Sequence, residues 1–111
     1  MRRVKKMIRK IFQFINRPNV YISTTGTKVL GYITAEDGDT IIKISKFPRS
    51  EKSEDGVVPS PAATLVHEII HEIFPNSGER KIRKWTKKVW KKLSNTEKLS
   101  LYELLFENQS Q

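Results

Sequence analysis

The stretch Thr64-Leu65-Val66-His67-Glu68-Ile69-Ile70-His71-Glu72-Ile73-Phe74 constrains the architecture more than any other part of the chain. At about 100° per residue, Leu65, Val66, Ile69, Ile70, Ile73 and Phe74 occupy one half of a helical wheel. Thr64, His67, Glu68, His71 and Glu72 occupy the other. A helix of this kind buries its aliphatic half against a core built by the rest of the chain and turns its polar half toward a cleft. A chain of 111 residues has room for one such core and not for two. We therefore expect a single domain over residues 1–106 and a short tail, 107–111.

The remaining segments follow from periodicity and from helix and turn signals. Val4, Met7, Ile8, Ile11, Phe12 and Ile15 recur at helical spacing and stop before Pro18, which predicts an N-terminal amphipathic helix. Three β-branched runs come next, Val20–Thr24, Val29–Thr34 and Thr40–Ser45, with Ala-Glu-Asp-Gly-Asp at 35–39 as a turn. They suggest an antiparallel meander. Residues 47–60, polar and broken by Pro48 and Pro59, read as a loop. Ser60-Pro61 is a helix start, with an N-cap followed by proline at the first position. That helix runs through Phe74 and is closed by Pro75, Asn76 and Gly78. A second spans about Glu79 to Leu93, with Ile82, Trp85, Val89 and Leu93 as its apolar stripe. Ser94-Asn95-Thr96-Glu97 matches a capping box and opens a C-terminal helix to about Phe106. The fold class is α+β: an N-terminal helix, a small three-stranded sheet, and three further helices.

The chemistry concentrates in His67, Glu68 and His71, an HExxH pattern. Histidines four apart on a helix lie one turn above each other, so both rings can reach one metal ion. Glu68 sits beside them, placed to act as general base on an attacking water. A catalytic zinc takes a third protein ligand and keeps a fourth position open. The chain has two histidines and no cysteine, so the third ligand must be a carboxylate. Glu79, just past the Pro75–Gly78 turn, is the best placed; Glu97 and Glu103 are farther alternatives.

Composition narrows the classes further. Without cysteine, disulfides, Cys-ligated zinc and thiol nucleophiles are excluded. No apolar run approaches the roughly 20 residues of a membrane span, and no signal-peptide pattern opens the chain, so a cytoplasmic location is expected. The Lys-, Ile- and Glu-rich, Cys-free composition leans toward a thermophile. Lys and Arg number 21 against 12 Asp and Glu, a formal +9. Seven of those cations lie within residues 1–17, before any acid, and eight more lie in the second predicted C-terminal-half helix. Phosphate-rich partners therefore stay in view: the alternative to an enzyme is a basic nucleic-acid-binding protein with an incidental or structural metal pair.

In the TLVHEIIHEIF stretch (Thr64–Phe74) and in SGERKIRKW (Ser77–Trp85), after a strand-rich first half, the sequence resembles the minigluzincins, small soluble HExxH zinc metallopeptidases. The resemblance implies zinc held by His67, His71 and Glu79, with Glu68 as general base and proton shuttle in the hydrolysis of a peptide or protein substrate. It implies a sheet strand that pairs with substrate backbone, assigned here to Thr40–Lys46 and centred on Ile41, Ile42, Lys43 and Ile44. It also implies latency, with a C-terminal segment around Glu107, Asn108 and Gln109 covering the cleft, in a monomer or in a dimer that exchanges this segment. The larger gluzincins add a downstream histidine that steadies the oxyanion. This chain has none, and Tyr102, Arg80 or Arg83 are the candidates for that role.

Overall fold

A computed structural model of the chain describes residues 2–26, 31–46 and 60–106. The elements are α1 (Arg2–Ile15), β1 (Val20–Thr25), β2 (Gly31–Glu36), β3 (Asp39–Ser45), α2 (Pro61–Ile73), α3 (Glu79–Lys92) and α4 (Asn95–Phe106). This is the α+β layout that periodicity indicates. The expected loop at 47–60, except Ser60, and the expected tail at 107–111 lie outside the described residues.

Local chemistry accounts for the helix boundaries. α1 buries Val4, Met7, Ile11, Phe14 and Ile15 and leaves Arg3, Lys5, Lys6, Arg9 and Lys10 exposed. It ends ahead of Pro18, because a residue preceding proline is pushed out of the helical region. At the start of α2 the Ser60 hydroxyl accepts from the Ala63 amide at 3.1 Å, with Pro61 behind it in the first turn. At the start of α4 the capping box is complete: the Ser94 amide donates to Glu97 Oε1 at 2.9 Å, and the Glu97 amide donates to Ser94 Oγ at 3.1 Å. Caps of this kind contribute about 1 kcal/mol each.

The sheet departs from a meander. Its order is β1-β3-β2, with β1 parallel and β2 antiparallel to β3. Hydrophobicity decides the order. β3 carries Ile41, Ile42 and Ile44, and Ile42 and Ile44 are fully buried, so it takes the centre. β2, with Gly31, Thr34, Ala35 and Glu36, has no buried residue and lies at an edge. Pairing along both sides of β3 leaves Ile41, Ile42, Lys43 and Ile44 no free backbone edge, so the expected substrate-pairing role cannot belong to them. Among the described strands the free edges are those of β1 and β2.

Asp37 and Gly38 join β2 to β3 with positive φ at both positions, 50° and 85°, as a two-residue hairpin of the primed type requires. The Asn19 side chain donates to the Gly38 carbonyl at 2.9 Å, tying the turn to the start of β1. A Cβ at Gly38 would touch nothing, so Gly38→Ala isolates the backbone cost. We expect it to destabilise the fold by about 1–2 kcal/mol in urea unfolding.

α2 lies at the centre, packed against α1, α3, α4, β2 and β3, while α4 covers β1. Leu65, Val66, Ile69 and Ile70 are fully buried, as are Ile82 and Val89 of α3. The buried line of α3 runs Ile82, Thr86, Val89, Leu93; Trp85, expected in that line, is only half-buried. None of the described helices is long and apolar enough to cross a membrane.

Candidate metal centre

With its aliphatic side in the core, α2 presents His67, Glu68 and His71 on the opposite side, each partly exposed. Phe74 caps α2, and the chain turns through residues 75–78 to begin α3 at Glu79. The return brings the Glu79 carboxylate across both imidazoles. Its Oε1 lies 2.9 Å from His67 Nε2 and its Oε2 lies 2.8 Å from His71 Nε2, while the two Nε2 atoms are 3.2 Å apart. Among the described residues these three form a group whose ligand atoms all lie within 4.8 Å of one another.

The donor set fits a metal ion. A tetrahedral ion bound at about 2.0–2.1 Å holds its ligand atoms about 3.3 Å apart, which the 3.2 Å between the two Nε2 atoms matches and which the two carboxylate contacts would reach by opening about 0.4–0.5 Å. Three short contacts meet at nitrogen and oxygen atoms that are all potential metal donors, and burial discourages the doubly protonated, cationic form of His67. Burial pushes the His67 imidazole below its ordinary value, with His71 and Arg83 acting the same way and the Glu79 charge opposing them. For Glu79, burial acts upward, yet the neighbouring His67 and His71 outweigh it and hold the carboxyl below the usual range. With the ring protons on Nδ1, the lone pairs of both Nε2 atoms and of the carboxylate would face one another, and a cation between them would relieve that repulsion.

Glu68 lies one residue along from His67, and its carboxyl is raised by burial, with His71 pulling against that and Glu79 and Glu72 reinforcing it. The β2 edge abuts it: a Cβ built on Gly31 would lie 3.4 Å from Glu68 Cγ, 3.2 Å from Thr64 Cγ2 and 2.8 Å from Ile44 Cδ1. Glycine here lets the strand approach the helix beside the carboxylate. Because the folded state holds the Glu68 proton more tightly than the unfolded chain, ionisation costs stability as pH rises through the carboxylate range. Metal-free Glu68→Gln is therefore expected to melt above the wild type at about pH 8, with the difference closing by about pH 4.

The other candidates are dispersed. Glu97 is engaged in its capping box and Glu103 is exposed on α4, so the carboxylate that meets the histidines is that of Glu79. Arg83 Nε lies 3.4 Å from Glu79 Oε1, one helical turn along α3. Arg80 is exposed, and the Tyr102 ring stacks on Phe106 at 6.4 Å between centroids. Glu107, Asn108 and Gln109 lie outside the described residues.

Two residues at the site escaped the sequence reasoning. Gly31 is one. The other is Thr86, whose buried hydroxyl lies 3.1 Å from His67 Nδ1. Its seven-residue spacing from Glu79, two helical turns along one face, was the available signal. Comparison with protein-family models, curated proteins and solved structures finds no match to this chain.

Proposed function

We propose that this chain is a zinc-dependent metalloendopeptidase of the minigluzincin kind. The observation that carries the reading is the closed triangle of His67, His71 and Glu79 donors with the Glu68 carboxyl one residue away. Two imidazoles and one carboxylate with a solvent-facing side are the donor set of a catalytic zinc, which when bound supplies Lewis acidity to the scissile carbonyl and to an attacking water. Glu68, whose carboxyl burial raises above its ordinary value, accepts the water's proton and returns it to the leaving amine. The edge of β2, with Gly31 against Glu68, offers main-chain groups along which an extended peptide can pair as an added strand. Arg83 contacts the donor group, which makes it the preferred of the three oxyanion candidates.

Latency through residues 107–109 belongs to the same proposal. The test is cleavage of an unfolded protein substrate by zinc-reconstituted protein truncated after Phe106, beside the full chain. Cleavage that a chelator abolishes and zinc restores supports the reading. A folded, zinc-loaded truncation that cleaves nothing counts against it.

A second reading rests on the basic helices. α1 and α3 pack against each other, and α3 carries a single acid, Glu79, already engaged with the histidines. Phosphates bound across these helices would give nucleic-acid affinity that falls steeply with salt. Affinity that does not change between low and physiological salt would remove this reading.

A further inference from the structure

We propose that Thr86 is a positioning residue of the metal centre: its hydroxyl holds the His67 ring in the tautomer that directs a bare Nε2 at the metal. The proposal rests on the metal-centre reading above and extends it to a residue outside the donor set.

The protons available at Thr86 and His67 decide the direction of each contact. A threonine hydroxyl has one proton and two lone pairs. Thr86 Oγ1 lies 2.8 Å from the Ile82 carbonyl oxygen, one turn back in its own helix, and 3.1 Å from His67 Nδ1. The carbonyl can only accept, so the shorter contact takes the hydroxyl proton. Toward His67 the hydroxyl then offers only a lone pair, and that contact is a hydrogen bond when Nδ1 carries the ring proton. A neutral imidazole has a single N–H. With it on Nδ1, Nε2 is free, and Nε2 is the atom that faces Glu79 Oε1 and His71 Nε2.

Glu79 pulls the other way. A carboxylate oxygen 2.9 Å from His67 Nε2 favours a proton on that nitrogen, which would seal the ring into a hydrogen bond and remove it as a ligand. Thr86 opposes this from a site where water cannot replace it, being only 6% exposed. Without the hydroxyl, a proton on Nδ1 would face an apolar group. The ring would then turn its proton to Glu79. Glu79 and Thr86 belong to the same helix, so α3 supplies one donor and sets the tautomer of another.

Groups that orient a ligating histidine typically change metal affinity by about 10–100-fold when removed. Thr86→Val keeps the shape and removes the hydroxyl; Thr86→Ser keeps the hydroxyl. Zinc affinity is to be measured at fixed pH by competition with a chromophoric chelator. The His67 tautomer is to be read from ring nitrogen-15 and proton NMR of the metal-free wild type. The proposal expects Nδ1–H in the wild type, zinc affinity about 10–100-fold weaker in Thr86→Val, and affinity within about 3-fold of wild type in Thr86→Ser. Zinc binding by Thr86→Val as tight as wild type, or an Nε2–H tautomer in the wild type, would overturn it. The tautomer measurement needs no variant, so a misfolded Thr86→Val does not rescue the proposal. Failure of the wild type to bind zinc would instead bring down the metal-centre reading, and this proposal with it.

Discussion

Glu68→Gln is expected to lower peptide hydrolysis by about 10²- to 10⁴-fold while leaving zinc binding and the fold intact. The side chain is isosteric and is not one of the three donors that converge on the centre. In the proposed mechanism, what disappears is the group that would take a proton from the attacking water and hand it to the leaving amine. Burial of Glu68 raises its carboxyl above the ordinary value in the metal-free chain, the direction that favours proton transfer in both senses. The same substitution is expected to raise metal-free stability at neutral pH, so loss of activity with gain of stability is the combined signature. Unchanged hydrolysis by Glu68→Gln, with contaminating proteases excluded, would remove Glu68 from the mechanism.

His71→Ala should uncouple stability from metal. Zinc that binds only the folded chain, supplied at about 1,000 times its Kd, adds about 4 kcal/mol to the wild type. In a domain of this size that corresponds to a rise of about 15–25 °C in Tm. His71 contributes one of three donors, and its Nε2 closes two sides of the triangle, to Glu79 at 2.8 Å and to His67 at 3.2 Å. With two donors left, the zinc-dependent rise is expected to vanish at the same zinc concentration. A variant that gains as much as the wild type would place the metal elsewhere. The metal-free variant is expected to stay folded, since His71 is half-exposed on the side of α2 away from the core.

Much of this architecture was legible in the residues, and the losses have physical causes. Helices announce themselves locally: the Ser60-Pro61 start, the Ser94–Glu97 capping box and the two-sided wheel of α2 are read from neighbours a few positions apart. Strand order is not local. The three β-branched runs are visible, but which one takes the centre depends on how β3's isoleucines meet Leu65, Val66 and Ile69 across the core. Assigning β3 to a free edge followed from that gap, and the proposed substrate-pairing strand is accordingly β2. Choosing Glu79 over Glu97 and Glu103 likewise needed the path of the chain after Phe74, which the turn residues suggest and the packing of α2 on α3 completes. Thr86 was masked by its neighbour. Trp85 is the more apolar side chain, yet on the wheel Thr86 lies about 40° from Ile82 and Trp85 about 60° away on the other side. Val89 and Leu93 lie about 20° to either side of Ile82, so the buried line stays centred on Ile82, to which Thr86 is the nearer. A hydroxyl so placed looks like a flaw in an apolar stripe until the imidazole beside it is seen.

Whether His67, His71 and Glu79 hold a metal ion is decided by metal content. Untagged protein purified without chelator is to be analysed for zinc per chain by elemental analysis, before and after reconstitution. This measurement does not depend on whether the proposed peptidase activity is latent. The account predicts about one zinc per chain. No zinc in the purified protein, and none retained after reconstitution and desalting, would contradict it.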